Sequence, residues 1–316
     1  MFAARGIAVS FSVFVLVYCG LSLAVGCSWR RLWLLCRKYP VERAADLLFG
    51  LRVFPLVGVV AVTGAFTVPS FVLLEPRSIN EPIGLIPLAL GACGCLLAGF
   101  GVVNAGLSAA RASRRIAEWV SESVPADTSG PVPVLRTSQV TPPLTTAGIV
   151  RPKVLVSGTA EFILTKRELQ TALRHELAHV RRRDNLKKLV LRAIAFPGMA
   201  GLESAWLDAT EMAADDAAVS SSTEALDLAA ALIKLSRFAQ PEPSTEIMMA
   251  LVHSPAASVN ARVERLIDWS EGRKAPERGY SAWYALGAGL AVVAAFGVTY
   301  SQLLMHVHTA TEWLVR

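Results

Sequence analysis

The sequence predicts an α-helical membrane protein: four transmembrane helices, with a soluble α+β domain inserted between the third and the fourth. Three observations lead there. Of 316 residues, 53% are hydrophobic and only 18% charged, with a mean hydropathy of +0.46, a balance too apolar for a soluble globule. Uncharged apolar stretches long enough to cross about 30 Å of hydrocarbon occur four times. Between the third and the fourth the composition returns to that of an ordinary globular domain, with dispersed charges and frequent turn signals. The same figures exclude a disordered chain. The five cysteines, Cys19, Cys27, Cys36, Cys93 and Cys95, all fall in the first third, which excludes a disulfide-stapled secreted domain.

The expected spans are Gly6 to Gly26, Val53 to Leu74, Pro82 to Ala110, and Ser281 to Met305. Residues 1–110 then form a three-span region with a basic loop at 27–52, residues 111–280 the soluble domain, and residues 281–316 the fourth span with a short tail. Leu189 to Leu202 is also apolar but carries Arg192 and Pro197 and is too short to span, so it reads as buried or interfacial. Lys and Arg beside spans stay in the cytoplasm. Arg30, Arg31, Arg37, Lys38, Arg43 and Arg52 crowd the first loop, and Arg111, Arg114 and Arg115 follow the third span. The chain is therefore expected in the cell membrane, N-terminus outside, soluble domain in the cytoplasm, and tail outside. The net charge of +6 is in large part this orientation signal, and direct nucleic-acid binding is not expected. One alternative stands for the first span: Leu23 to Cys27 has the form of a lipoprotein signal, and cleavage there would invert the topology.

Within the soluble domain, Ile116 to Ser123 continues the third helix and Pro125 to Pro131 reads as a loop. Val132 to Leu135 and Lys153 to Val156, rich in Val and bounded by Pro or Gly, read as strands of a small sheet. Thr165 with Glu168 three residues on is a capping box, and it opens a helix through His175 and His179. Further helices are expected over Glu203 to Val219 and from Ser222 to about Phe238.

His175-Glu176-Leu177-Ala178-His179 carries the chemistry. Its two imidazoles, four residues apart on a helix, share one face and can reach a single Zn²⁺. Glu176 stands where a carboxylate can take the proton of a water attacking an amide. A catalytic zinc takes three protein ligands and leaves one position open, so a third donor must lie downstream. Glu211 is the best candidate, because Asp215 shares its helix face and can orient a ligand histidine. Glu203, Asp208 and Asp216 are carboxylates nearby, and Asp184 reads as an ion-pair anchor for the helix. Arg181 to Arg183 are expected to face headgroups or solvent.

Leu173 to Asp184, taken with Glu211-Met212-Ala213-Ala214-Asp215, resembles the integral-membrane gluzincins. The three-plus-one arrangement of spans, Pro143 to Val156 and the helix opening Leu164 to Leu169 are similar to the BlaR/MecR-type antirepressor peptidases. The HtpX and CAAX-prenyl-protease group is a more distant resemblance. The chain departs from the BlaR/MecR pattern at Ala214, where Cys is common, and in its short tail, His306 to Arg316, where a large exterior sensor is frequent. His253-Ser254-Pro255 and Arg262 resemble a downstream segment of the HtpX branch, which makes His253 and Arg262 candidates for stabilising the transition state.

The resemblance implies a zinc metalloendopeptidase with one Zn²⁺ per chain, held by His175, His179 and Glu211, with Glu176 as general base. It implies a cytoplasmic protein substrate such as a transcriptional repressor, or the chain itself, in regulatory signalling, and leaves room for a separate sensor subunit. Substrate is expected to pair in extended form with the edge of the sheet containing Lys153 to Val156. Two alternatives remain open: a quality-control protease of the HtpX kind, and a signalling scaffold whose zinc site is structural.

Overall fold

The structure is a computed structural model that describes residues 2–36, 39–75, 84–127, 132–138, 143–194, 196, 198–237, 249–250, 256–272, 300 and 302–311. Three helical stretches among these are long and apolar enough to cross a membrane: Phe2–Leu34, Val41–Leu74 and Leu85–Ser121. The first belongs to α1 (Phe2–Cys36). The second is α2 (Val41–Val62), a π-helical turn (Thr63–Thr67) and α3 (Val68–Leu74), and the third is α4 (Leu85–Ser121). The expected fourth span lies outside the described residues, apart from Tyr300 and the start of a helix over 302–311.

The π-helical turn has a local cause. Pro69 has no N–H to give to the Ala65 carbonyl four residues before it, and an unpaired carbonyl is costly in hydrocarbon. The Tyr300 hydroxyl donates to that carbonyl at 2.7 Å, with its ring 5.5 Å from Phe66. Tyr300 thereby ties the last part of the chain to the second span.

Helix α4 continues beyond its apolar stretch and delivers Trp119 onto a mixed sheet, where it packs with Leu135, Ala147 and Leu155. The sheet consists of β1 (Ser123–Asp127), β2 (Val134–Thr137), β3 (Leu144–Ala147), β4 (Lys153–Ser157) and β5 (Met249–Ala250). Their order is β1-β2-β4-β3-β5, with β2 and β4 parallel and the other pairs antiparallel. The α4 helix ends at Ser121, and the segment expected as a loop after it begins with a strand. Pro125 is tolerated there because β1 is an edge strand, and the register shifts between Pro125 and Asp127. β3 turns into β4 at Gly148, whose φ of +96° and a Cβ position only 2.8 Å from the Arg151 carbonyl oxygen require glycine.

Five helices among the described residues lie between β4 and β5 in the chain: α5 (Gly158–Ile163), α6 (Lys166–Arg182), α7 (Asp184–Ala193), α8 (Ala200–Ala218) and α9 (Ser222–Ser236). After them comes α10 (Ala256–Ser270). Leu228, Leu232 and Leu235 of α9 pack with Leu144, Val156, Ala172, Val259 and Leu266 to form the main core, while Leu226 and Ile233 of the same helix are exposed. α6 begins with the predicted capping box, Thr165 and Glu168 bonding reciprocally.

Of the Leu189 to Leu202 run, expected to be buried or interfacial, Leu191, Ile194, Met199 and Leu202 are buried, while Ala193, Gly198, Ala200 and Gly201 are exposed. α7 packs against α4 and α8 against α2, with Ile194 against Tyr18 and Val59 and Trp206 in the cluster that holds Val25 and Leu48. Phe196 meets Tyr18 edge to face at 5.6 Å. Where α7 ends, its last carbonyls lose their helical partners, and the spans supply replacements. Asn104 donates to the Arg192 carbonyl at 3.3 Å, and Arg52 donates to the Ile194 carbonyl at 2.6 Å and to Glu203 at 2.9 Å. Contact is so close at α4 that a Cβ on Gly101 would collide with the Ala193 carbonyl oxygen.

Candidate metal centre

Helix α6 presents His175 and His179 one turn apart, and both are fully buried. Their Nε2 atoms converge to 3.1 Å, with the rings nearly perpendicular. Helix α8 brings Glu211 to the same point, Oε2 lying 3.6 Å from His175 Nε2 and Oε1 3.7 Å from His179 Nε2. A tetrahedral ion with metal–ligand bonds of about 2.0–2.1 Å places its ligand atoms roughly 3.3 Å apart. The three measured edges bracket that value, and these three residues are the group that can hold a metal ion among the described residues.

The opposite ring nitrogens are already engaged. His179 Nδ1 bonds Asp184 Oδ2 at 2.8 Å, and His175 Nδ1 lies 2.9 Å from Asp215 Oδ1. Asp184 is hydrogen-bonded to the His179 imidazole and Asp215 is in ion-pair contact with that of His175, an arrangement suited to orienting histidine ligands. Asp215 was expected in that role. Asp184 was expected as an ion-pair anchor, and the structure gives it the equivalent role for His179. The bend that returns it there is Arg183, whose φ of 54° is left-handed and ends α6.

Arg262 of α10 pairs with two carboxylates of α8. Its Nε and Nη2 donate to Asp215 at 2.8 and 2.7 Å, and Nη1 is 2.9 Å from Glu211 Oε2. These buried contacts commit the guanidinium to two carboxylates. The other candidate for transition-state stabilisation, His253, lies outside the described residues.

Electrostatics follow from this geometry. Burial alone would push the Glu211 carboxyl up, but Arg262 and the two histidines hold it down at about 2. Asp215 is likewise raised by burial and driven further down by Arg262, well below the ordinary carboxylate range. Burial opposes protonation of His175, yet Asp215 and Glu211 outweigh it and bring its pKa to about 9. Glu176 goes the other way, its pKa raised chiefly by burial.

Glu176 is fully buried beside the ligands. Thr146 of β3 donates to its Oε2 at 2.7 Å, while Oε1 has no hydrogen-bond partner among the described residues. Asn185 at the start of α7 ties that strand to the helices by donating to the Thr146 and Gly148 carbonyls, both at 3.0 Å. Lys188, one turn after Asp184, is brought down to about 8 by burial against the pull of Glu211 and Asp184. Reading the sequence did not single out Thr146, Asn185 or Lys188. The 184, 188 spacing on one helix face was the available signal for Lys188, whereas Thr146 becomes visible only once β3 is placed. In the sheet that contains Lys153 to Val156, β4 lies between β2 and β3 and the edges are β1 and β5; beside the site stands β3, with β5 on its outer side.

No protein-family model matches the chain, and no curated protein sequence matches it.

Proposed function

We propose that this chain is a membrane-embedded zinc endopeptidase of the gluzincin type, related to the BlaR/MecR-type peptidases. One observation carries the reading: two imidazole Nε2 atoms and a carboxylate converge at tetrahedral spacing, with the buried Glu176 next to them. Two nitrogens and one oxygen suit zinc, and three protein ligands leave a fourth position open, as catalytic rather than structural sites do. Bound there, zinc would polarise the scissile carbonyl and lower the pKa of an attacking water.

The chain's own residues supply the rest. Thr146 occupies Glu176 Oε2, so Oε1 takes the proton from the attacking water and delivers it to the leaving amine nitrogen. The raised pKa of Glu176 suits a group that must both accept and return a proton. Asp184 and Asp215 hold the histidines in the tautomer that frees Nε2, and Arg262 keeps Glu211 ionised.

The packing of α7 and α8 against the long apolar helices supports a site beside the membrane, and with it cytoplasmic or membrane-proximal protein substrates. The basic loops support the cytoplasmic side, and a repressor-like regulator or the chain itself is the substrate class. Glu176→Gln tests the assignment: zinc content should stay near that of the wild type while proteolysis of the chain or an added protein substrate disappears. Undiminished proteolysis would remove Glu176 from the reaction and sink the peptidase reading.

A further inference from the structure

We propose that helix α2 sets the metal affinity of the site through a line of charges, Asp46, Arg182, Asp184 and His179, in which Asp46 and Arg182 are positioning residues for His179. The proposal rests on the zinc reading of the site.

Asp184 is the pivot. Its Oδ2 is hydrogen-bonded to His179 Nδ1 at 2.8 Å, while Oδ1, fully buried, has no hydrogen-bond partner among the described residues. Two cations stand just beyond hydrogen-bond range of Oδ1: Arg182 Nε at 3.8 Å and Lys187 Nζ at 3.9 Å. Both are drawn to α2 instead. Arg182 reaches Asp46 and Glu42 at 3.2 Å each, and Lys187 Nζ is 2.9 Å from Asp46 Oδ1. Asp46 therefore competes with Asp184 for the same two cations. A carboxylate whose second oxygen is less fully neutralised is a stronger acceptor and makes the imidazole it holds a better metal ligand. Arg181 to Arg183 were expected to face headgroups or solvent, and Arg182 is instead the link from a span to the site.

The same helix grips the other ligand-bearing helix. Arg52, six residues after Asp46, is buried and bonds Glu203 on α8, the helix that carries Glu211. A displacement of α2 therefore bears on His179 through Arg182 and on Glu211 through Arg52. Exposed ion pairs contribute little by themselves, and the Asp46 side chain is half exposed. What gives this pair its effect is Arg182, which is nearly buried and adjoins a fully buried acceptor.

The test is zinc affinity of the full chain in lipid nanodiscs, measured by competition with a chromophoric chelator, together with the visible spectrum of the Co²⁺ form. Replacing a partner that holds a ligand histidine weakens metal binding about 10- to 100-fold, so Asp184→Asn should fall in that range. Asp46→Asn, one step further out, should change affinity by about threefold to tenfold and shift the Co²⁺ bands. Asp46→Glu should keep wild-type affinity, and adding Asp46→Asn to Asp184→Asn should change nothing more. If the wild type binds zinc but Asp46→Asn leaves affinity and spectrum unaltered, the relay is overturned and the site stands. An equal fold-change in the Asp184→Asn background also overturns the relay. Failure of the wild type to bind zinc overturns the site itself.

Discussion

Arg262→Met removes the cation that Asp215 and Glu211 share inside the protein. The cost can be worked from Glu211. Its pKa is held at about 2 against an ordinary 4.5, with Arg262 the largest influence opposing burial. At 1.36 kcal/mol per unit, that depression corresponds to about 3 kcal/mol at neutral pH. Breaking a buried ion pair by deleting one partner typically costs about 3–5 kcal/mol, which agrees. Because the folded-state pKa lies below the unfolded one, this stability is complete above about pH 4.5 and is lost as pH falls toward 2. At about 2–4 °C per kcal/mol, metal-free Arg262→Met should unfold roughly 10 °C below the wild type at pH 7. The gap should narrow as the pH is lowered through 4 in thermal scans of detergent-solubilised protein. A variant that melts within about 2 °C of the wild type at pH 7, or a gap that widens in acid, would refute the reasoning.

Three further outcomes are expected. Thr146→Val keeps the shape of the side chain but removes the donor to Glu176, so kcat on a protein the wild type cleaves should drop about tenfold or more with zinc affinity unchanged. Gly101→Val drives a side chain into the Ala193 carbonyl and should cost about 1–3 kcal/mol or more in thermal stability, whereas Gly106→Val, with nothing within 4 Å, should be neutral. Arg52→Met takes the donor from the Ile194 carbonyl and the partner from Glu203. It should lower stability by about 1–3 kcal/mol, seen as earlier unfolding in detergent.

What was legible in the sequence was whatever depends on one helix. The 175, 179 spacing fixes a shared face, and the 211, 215 spacing pairs a ligand with an orienting carboxylate, so both sets are where periodicity puts them. Asp184 could not be read in this way. Its contact with His179 depends on the left-handed backbone at Arg183, and an arginine there gives no signal of the bend. Thr146 was hidden for a different reason. Leu144 to Ala147 is too short and too mixed to declare itself a strand, and its pairing with β4 exists only in three dimensions. Pro125 and Asp127 likewise read as loop because an edge strand tolerates them. The Leu189 to Leu202 run read as buried or interfacial without showing its neighbours, since Arg52 and Asn104 lie 142 and 88 residues away from the carbonyls they bond.

In the proposed function, His175, His179 and Glu211 hold one zinc ion. X-ray absorption of the purified full chain, loaded with one equivalent of zinc, tests it most directly. The predicted spectrum has nitrogen and oxygen neighbours only, at about 2.0–2.1 Å, with outer-shell scattering from two imidazoles that is lost in His175→Ala/His179→Ala. Sulfur neighbours at about 2.3 Å, or a spectrum unchanged by that double substitution, would place the metal elsewhere and contradict the account.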